Sequence, residues 1–132
     1  MRKTELTKEQ QKKFKWLMDA ETFNENIEIK GNLLTWKYGI WEDGTWESGI
    51  WKYGIWEGGV WESGIWEDGT WKGGLWKGGL WKYGMWERGI WEDGNMWSNL
   101  KQKYIRVKKD KKNGIFWEKL INKTEKGDEN SN

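Results

Sequence analysis

Ten carboxylates recur in the middle of the sequence: Glu42, Asp43, Glu47, Glu57, Glu62, Glu67, Asp68, Glu87, Glu92 and Asp93. Neighbouring acids can relay protons or hold a hard cation through oxygen. That chemistry needs burial or a nearby charge to displace a pKa. Here every acid falls at a polar corner position that reads as solvated. Ser48 and Ser63 sit at equivalent corners, but the chain has no His to accept their protons and no Cys to serve as nucleophile or metal ligand. The glycines do not form a phosphate-cradling G-x-x-x-x-G-K-S/T loop. The residues therefore predict no catalytic, cofactor-binding or metal-ligating site, and a non-enzymatic protein.

Two other surfaces could bind something. The chain holds 15 Trp, and exposed indoles stack sugars or unpaired bases. A dozen exposed indoles would exceed the few hundred Å² of apolar patch that a soluble monomer tolerates, so the expectation is that they pack inside. Lys101, Lys103, Arg106, Lys108, Lys109, Lys111 and Lys112 form a basic run around a single acid, Asp110. Such a run can contact phosphates. Nucleic-acid association through it, and a carbohydrate-binding Trp platform, are the alternatives to a protein-binding role.

These side chains are placed by a strict period. Trp36, Trp41, Trp46, Trp51, Trp56, Trp61, Trp66, Trp71, Trp76, Trp81, Trp86 and Trp91 are each followed three residues later by Gly39, Gly44, Gly49, Gly54, Gly59, Gly64, Gly69, Gly74, Gly79, Gly84, Gly89 and Gly94. Twelve W-x-x-G-x units follow one another without insertion. Gly in every unit costs a helix about 1 kcal/mol each time. The aliphatic or β-branched fifth residues favour strands. Each unit reads as a short G-x-W strand followed by a two-residue corner. If Trp faces inward, Ile40, Ile50, Ile55, Ile65, Leu75, Leu80 and Ile90 face outward, and such a stripe suits a protein partner or a second copy of the chain.

Two architectures accommodate five residues. In an antiparallel meander, regular three-residue strands put Gly and Trp on the same hydrogen-bonding side, so hairpins at both ends do not fit. A solenoid makes all units equivalent and stacks them at about 4.8 Å, with Gly and Trp both directed inward. The solenoid is favoured and the meander stays open. At these residues the chain resembles pentapeptide-repeat proteins, whose unit is small–x–large–x–x. Here Gly takes the small site and Trp the large one, where that family prefers Leu or Phe. The resemblance implies a four-sided right-handed helix, hence three coils from twelve units. Gly39-Ile40-Trp41-Glu42-Asp43-Gly44 is also similar to the G-x-W-x-x-G core of MORN repeats, which implies antiparallel hairpins. Both resemblances imply an interaction scaffold and cover residues 36–97.

The expected fold class is all-β, a pentapeptide-repeat β-solenoid with small helical and hairpin caps. Residues 1–35 form an N-terminal helix and capping segment. Thr7-Lys8-Glu9-Gln10 fits a capping box opening a helix near 7–20, Ile27-Glu28-Ile29 alternates as a strand, and Gly31-Asn32 marks a turn. Residues 36–97 are the repeat domain, with six basic against ten acidic residues in 36–95. Residues 98–122 are a basic C-terminal cap. Trp97, Leu100 and Tyr104 keep helical spacing there, while Tyr104–Val107 reads equally well as a strand, and Lys112-Asn113-Gly114 reads as a turn before Ile115-Phe116-Trp117. Residues 123–132 are a polar tail expected to be disordered. No apolar run reaches the ~20 residues that span a bilayer, and a cytoplasmic location is expected.

Overall fold

The computed structural model describes residues 1–108. Residues 36–96 form a β-solenoid. Each strand pairs in parallel with the strand fifteen residues later, so Trp36 lies under Trp51, Trp51 under Trp66 and Trp66 under Trp81. Three pentapeptides therefore close one coil, and twelve make four coils. This corrects the four-sided geometry implied by the pentapeptide-repeat resemblance. It also rules out the meander, since the repeat strands pair in parallel.

The coil has three faces. Face I stacks Thr35-Trp36, Ile50-Trp51, Ile65-Trp66, Leu80-Trp81 and Asn95-Met96. Face II stacks Ile40-Trp41, Ile55-Trp56, Thr70-Trp71 and Met85-Trp86. Face III stacks Thr45-Trp46, Val60-Trp61, Leu75-Trp76 and Ile90-Trp91. Within a face each pentapeptide donates twice to the coil before it, as when Lys52 N–H reaches Trp36 O at 2.8 Å and Ile65 N–H reaches Gly49 O at 2.9 Å.

Indole size explains closure at three. Along each face the rings stack nearly parallel, as for Trp56 on Trp71 at 4.8 Å and 5°. Between faces they meet edge to face, as for Trp61 and Trp66 at 5.9 Å and 72°. Three rings per coil thus fill the triangular interior by touching one another. Offset stacks and edge contacts are the preferred aromatic geometries, about 0.5–1.5 kcal/mol each beyond burial.

The glycines do a further job, set by the backbone. Besides lying against the indoles, as at Gly54, where a Cβ would meet Trp36 Nε1 at 3.2 Å, they form the corners. They do so at positive φ, +120° at Gly69, and a Cβ there would run into the Gly54 carbonyl oxygen and amide nitrogen of the coil below. Corner backbones stack too closely for any side chain.

The ends are capped by unlike structures. A 3₁₀ turn at Lys3–Glu5 leads to α1 (Lys8–Lys13) and α2 (Lys15–Asp19), which split the expected single helix at Phe14. The capping box is present: Gln10 N–H donates to Thr7 Oγ1 at 3.1 Å and Thr7 N–H to Gln10 Oε1 at 3.0 Å. Strand β1 (Glu21–Lys30) runs antiparallel to β2 (Leu33–Asp43), and β2 bends around the first corner to begin both face I and face II. At the other end Asn95–Ser98 and Lys103–Arg106 form an antiparallel hairpin, so Tyr104 lies in a strand. The Lys112–Gly114 turn, the Ile115–Trp117 segment and the tail lie outside the described residues.

Candidate functional site

The twelve repeat indoles occupy the interior. Trp86 is half-buried and the other eleven are at most 2% exposed. A sugar-stacking platform would need those rings at the surface. Several indole N–H groups donate to the carbonyl of the residue before glycine one coil on, as Trp56 does to Gly73 O and Trp61 to Gly78 O, both at 3.0 Å. Trp36, Trp41, Trp46, Trp51, Trp71 and Trp76 bury their N–H without a hydrogen bond.

The fifth residues face out, as alternation from an inward Trp requires. Ile40, Ile50, Ile55, Ile65, Leu75 and Leu80 are half-buried and Ile90 is 47% exposed. They divide among the faces: Ile50, Ile65 and Leu80 on face I; Ile40 and Ile55 on face II; Leu75 and Ile90 on face III. Each ladder is one side chain wide. Face II is extended by Met85 at its C-terminal end and by Phe23 of β1, which pairs with Ile40; these two are 59% and 53% exposed.

The corner residues form three columns that separate by charge. Corner A, between faces I and II, carries Lys37-Tyr38, Lys52-Tyr53, Glu67-Asp68 and Lys82-Tyr83. Corner B, between faces II and III, carries Glu42-Asp43, Glu57-Gly58, Lys72-Gly73 and Glu87-Arg88. Corner C carries Glu47-Ser48, Glu62-Ser63, Lys77-Gly78 and Glu92-Asp93. In the residue after Trp, corner A reads plus, plus, minus, plus, while corners B and C read minus, minus, plus, minus. Tyr38, Tyr53 and Tyr83 stand exposed on corner A.

Among the described residues, Lys37 alone of these twelve post-Trp charges has an ion-pair partner, Glu28 at 3.4 Å. Ser63 donates to Glu47 O at 2.9 Å, so this corner hydroxyl is spent on the backbone of the coil below. Asp43, Asp68 and Asp93 each accept the following glycine N–H at 2.8 Å, which fixes the corner. Asp93 also takes a two-pronged bond from Arg106, at 3.1 and 2.8 Å. The Arg106 guanidinium and the Gly94 amide hold the Asp93 carboxyl down at about 2. Among the described residues no cluster of three or more acids, His or Cys is arranged to hold a metal ion.

The basic run is only partly in view. Lys103 and Lys108 are exposed, Lys101 is half-buried, and Arg106 is committed to Asp93. Lys109, Lys111 and Lys112 lie outside the described residues. A shallow hollow of about 480 Å³ lies between α2 and the first coil, lined by Lys15, Trp16, Asp19, Gly44, Thr45 and Glu47. Its Asp19 is already paired with Lys15 at 2.6 Å.

Three residues outside the twelve pentapeptides matter more than the sequence suggested. Trp16 closes the N-terminal end of the indole stack, packing on Trp41 at 6.4 Å and Trp46 at 5.1 Å. Met96 continues the face I column where the repeat ends. Glu25 is 3% exposed and accepts from Arg2 Nε and Lys3 N–H, both at 3.1 Å, and from Thr22 Oγ1 at 2.9 Å. Burial pushes its carboxyl up, but the Lys3, Arg2 and Thr22 donors together hold it below the ordinary value. No local motif marks Glu25, because two of its three partners, Arg2 and Lys3, come from a different segment.

Comparison with known proteins finds no matching family model, no matching curated protein and no matching solved structure. No helix among the described residues is long and apolar enough to cross a membrane.

Proposed function

We propose that this chain is a non-enzymatic structural or protein-interaction scaffold of pentapeptide-repeat type, associating with a protein partner or with its own copies. The observation that carries the reading is the division of labour within each pentapeptide. The indole goes wholly into a stacked core, and an aliphatic side chain is held out on a rigid face. A parallel stack with every coil bonded to the next holds such ladders at fixed spacing, which suits recognition of another ordered surface. The corners supply charge that sets specificity rather than a reaction centre.

The test replaces one outward side chain per face, Ile65→Ser, Ile55→Ser and Leu75→Ser, and follows sedimentation velocity and thermal unfolding of the intact chain. The scaffold reading expects assembly to weaken for at least one face while the melting temperature moves little. Equal loss of stability in all three, with assembly unchanged, would overturn it. Nucleic-acid association through the basic run is the second reading, supported by the exposed Lys103 and Lys108. It expects binding of single-stranded or duplex probes to fall steeply with added salt.

A further inference from the structure

From the corner charges we infer that two copies of this chain dimerise side by side through face II, about a two-fold axis parallel to the coil axis. The inference rests on the scaffold reading and names the partner and the geometry. Such an axis places each coil beside the same coil of the second copy. It also sets corner A of one chain opposite corner B of the other, on both sides of the contact. Corner A runs plus, plus, minus, plus and corner B minus, minus, plus, minus. Lys52 then meets the partner's Glu57, Glu67 meets the partner's Lys72, and Lys82 meets the partner's Glu87. The third coil reverses sign on both corners, so the match survives only in this register.

The alternatives match only part of these charges. A head-to-tail two-fold sets corner A on corner A and corner B on corner B. The outer coils then oppose like charges, Lys37 against the partner's Lys82 and Glu42 against the partner's Glu87, and only the middle coils oppose unlike ones, Lys52 against the partner's Glu67 and Glu57 against the partner's Lys72. Sliding the parallel pair by one coil puts Lys52 on the partner's Lys72. Face III is flanked by corners B and C, which carry the same signs in every coil, so its parallel pairing is repulsive throughout. Face I has complementary corners, but Glu28, Asn95 and Arg106 make its two ends polar, and the Lys37–Glu28 and Arg106–Asp93 pairs lie along its rim. Face II presents Phe23, Ile40, Ile55, Thr70 and Met85 along its whole height, with both ends apolar and exposed. Four coils spaced at about 4.8 Å make a face only ~15–20 Å tall. That falls short of the ~800 Å² per partner of a standard interface, so the dimer is weak and depends on concentration and salt.

The full chain is studied by sedimentation equilibrium over a concentration series, at about 0.02 M and about 0.5 M NaCl. Dimer is expected at low salt, with a Kd raised about tenfold or more at high salt. Because the chain lacks Cys, Thr70→Cys on face II and Thr45→Cys on face III report proximity by disulfide formation, and only the first should link. Glu67→Lys sets like charges together twice and should raise Kd about tenfold, while Glu67→Lys with Lys72→Glu restores both contacts and should bring Kd back. The double variant makes every post-Trp charge basic on corner A and acidic on corner B within each chain. Recovery therefore reports pairing between chains, and thermal unfolding confirms that both variants fold. A dimer that links through Thr45→Cys, or one in which the double variant binds no better than Glu67→Lys, would overturn the geometry while leaving self-association intact. Monomer at every concentration would overturn the dimer and leave the scaffold with a different protein as its only partner.

Discussion

The coil stack and the N-terminal cap are stabilised in opposite ways. In the stack every contact is a copy of its neighbour: indole on indole, corner glycine on corner glycine, two backbone bonds per unit. In the cap almost every contact occurs once. Lys3 Nζ caps α2 by donating to Ala20 O at 2.6 Å, Met1 pairs its backbone with Ile27, and Glu25 collects three donors. Repetition lets a short unit bury a large ring, with the indole N–H of Trp36, Trp41, Trp46, Trp51, Trp71 and Trp76 left unbonded. At the N-terminal end, where repetition stops, Trp16 covers the first rings and single polar contacts hold the segment that carries it.

Substitutions can break this contrast, and the largest effect belongs to the stack. Trp66→Ala removes a wholly buried ring lying between Trp51 and Trp81 and touching Trp61 and Trp71. It should cost about 3–5 kcal/mol in urea unfolding. Trp16→Ala, which loses a partly buried ring at the cap, should cost about 2 kcal/mol. Gly69→Ala meets the Gly54 backbone at φ +120° and should cost about 3 kcal/mol, against about 1 kcal/mol for Gly31→Ala, where φ is +60° and nothing lies nearby.

The polar contacts of the cap come next. Glu25→Gln strands Arg2 and weakens two further bonds, at an expected cost of about 2 kcal/mol near neutral pH. The folded carboxyl titrates below its ordinary value. Its contribution is therefore complete above the unfolded value of about 4.3 and is lost as pH falls through the lower folded value. Acid unfolding should show this loss in the natural chain and not in Glu25→Gln. Thr7→Ala removes one half of the capping box and should cost about 1 kcal/mol, read as faster amide exchange in α1 with the coils unaffected. The smallest effect is Arg106→Ala. Its pair with Asp93 is exposed and screened by salt. Asp93 falls to about 2, so whatever the pair contributes persists above about pH 4 and disappears only as pH drops toward 2. Exchange of the Val107 amide, which donates to Gly94 O, would follow it.

Much of this architecture was readable from Trp and Gly alone. Their spacing predicted short strands, inward indoles, outward aliphatics and stacked coils, and the Thr7–Gln10 box predicted α1. Coil size left only a faint mark on the sequence, because the charges after Trp place some like pairs over each other at a spacing of fifteen or of twenty. Tyr38, Tyr53 and Tyr83 recur at multiples of fifteen. At that spacing, like charges after Trp overlie one another only between the first two coils. At twenty, Glu42 would lie over Glu62, Glu47 over Glu67, Lys52 over Lys72 and Glu67 over Glu87. The corner role of glycine was not foreseen, because a sequence shows that the residue is small and not which φ it takes or how close the backbone of the next coil comes. The buried Glu25 could not be found at all, since Arg2 and Lys3 become its partners only when the N-terminal turn packs against β1.

The sequence by itself determined the unit: five residues, one ring in, one aliphatic out, and a corner that only glycine can turn. It did so because alternation along a strand and the steric limits of the backbone are local. How many units close a coil, and which charges come to share a face, were decided by tertiary structure. The pentapeptide is locally the same in a three-sided and a four-sided coil, and only the meeting of three indoles edge to face across the axis selects between them.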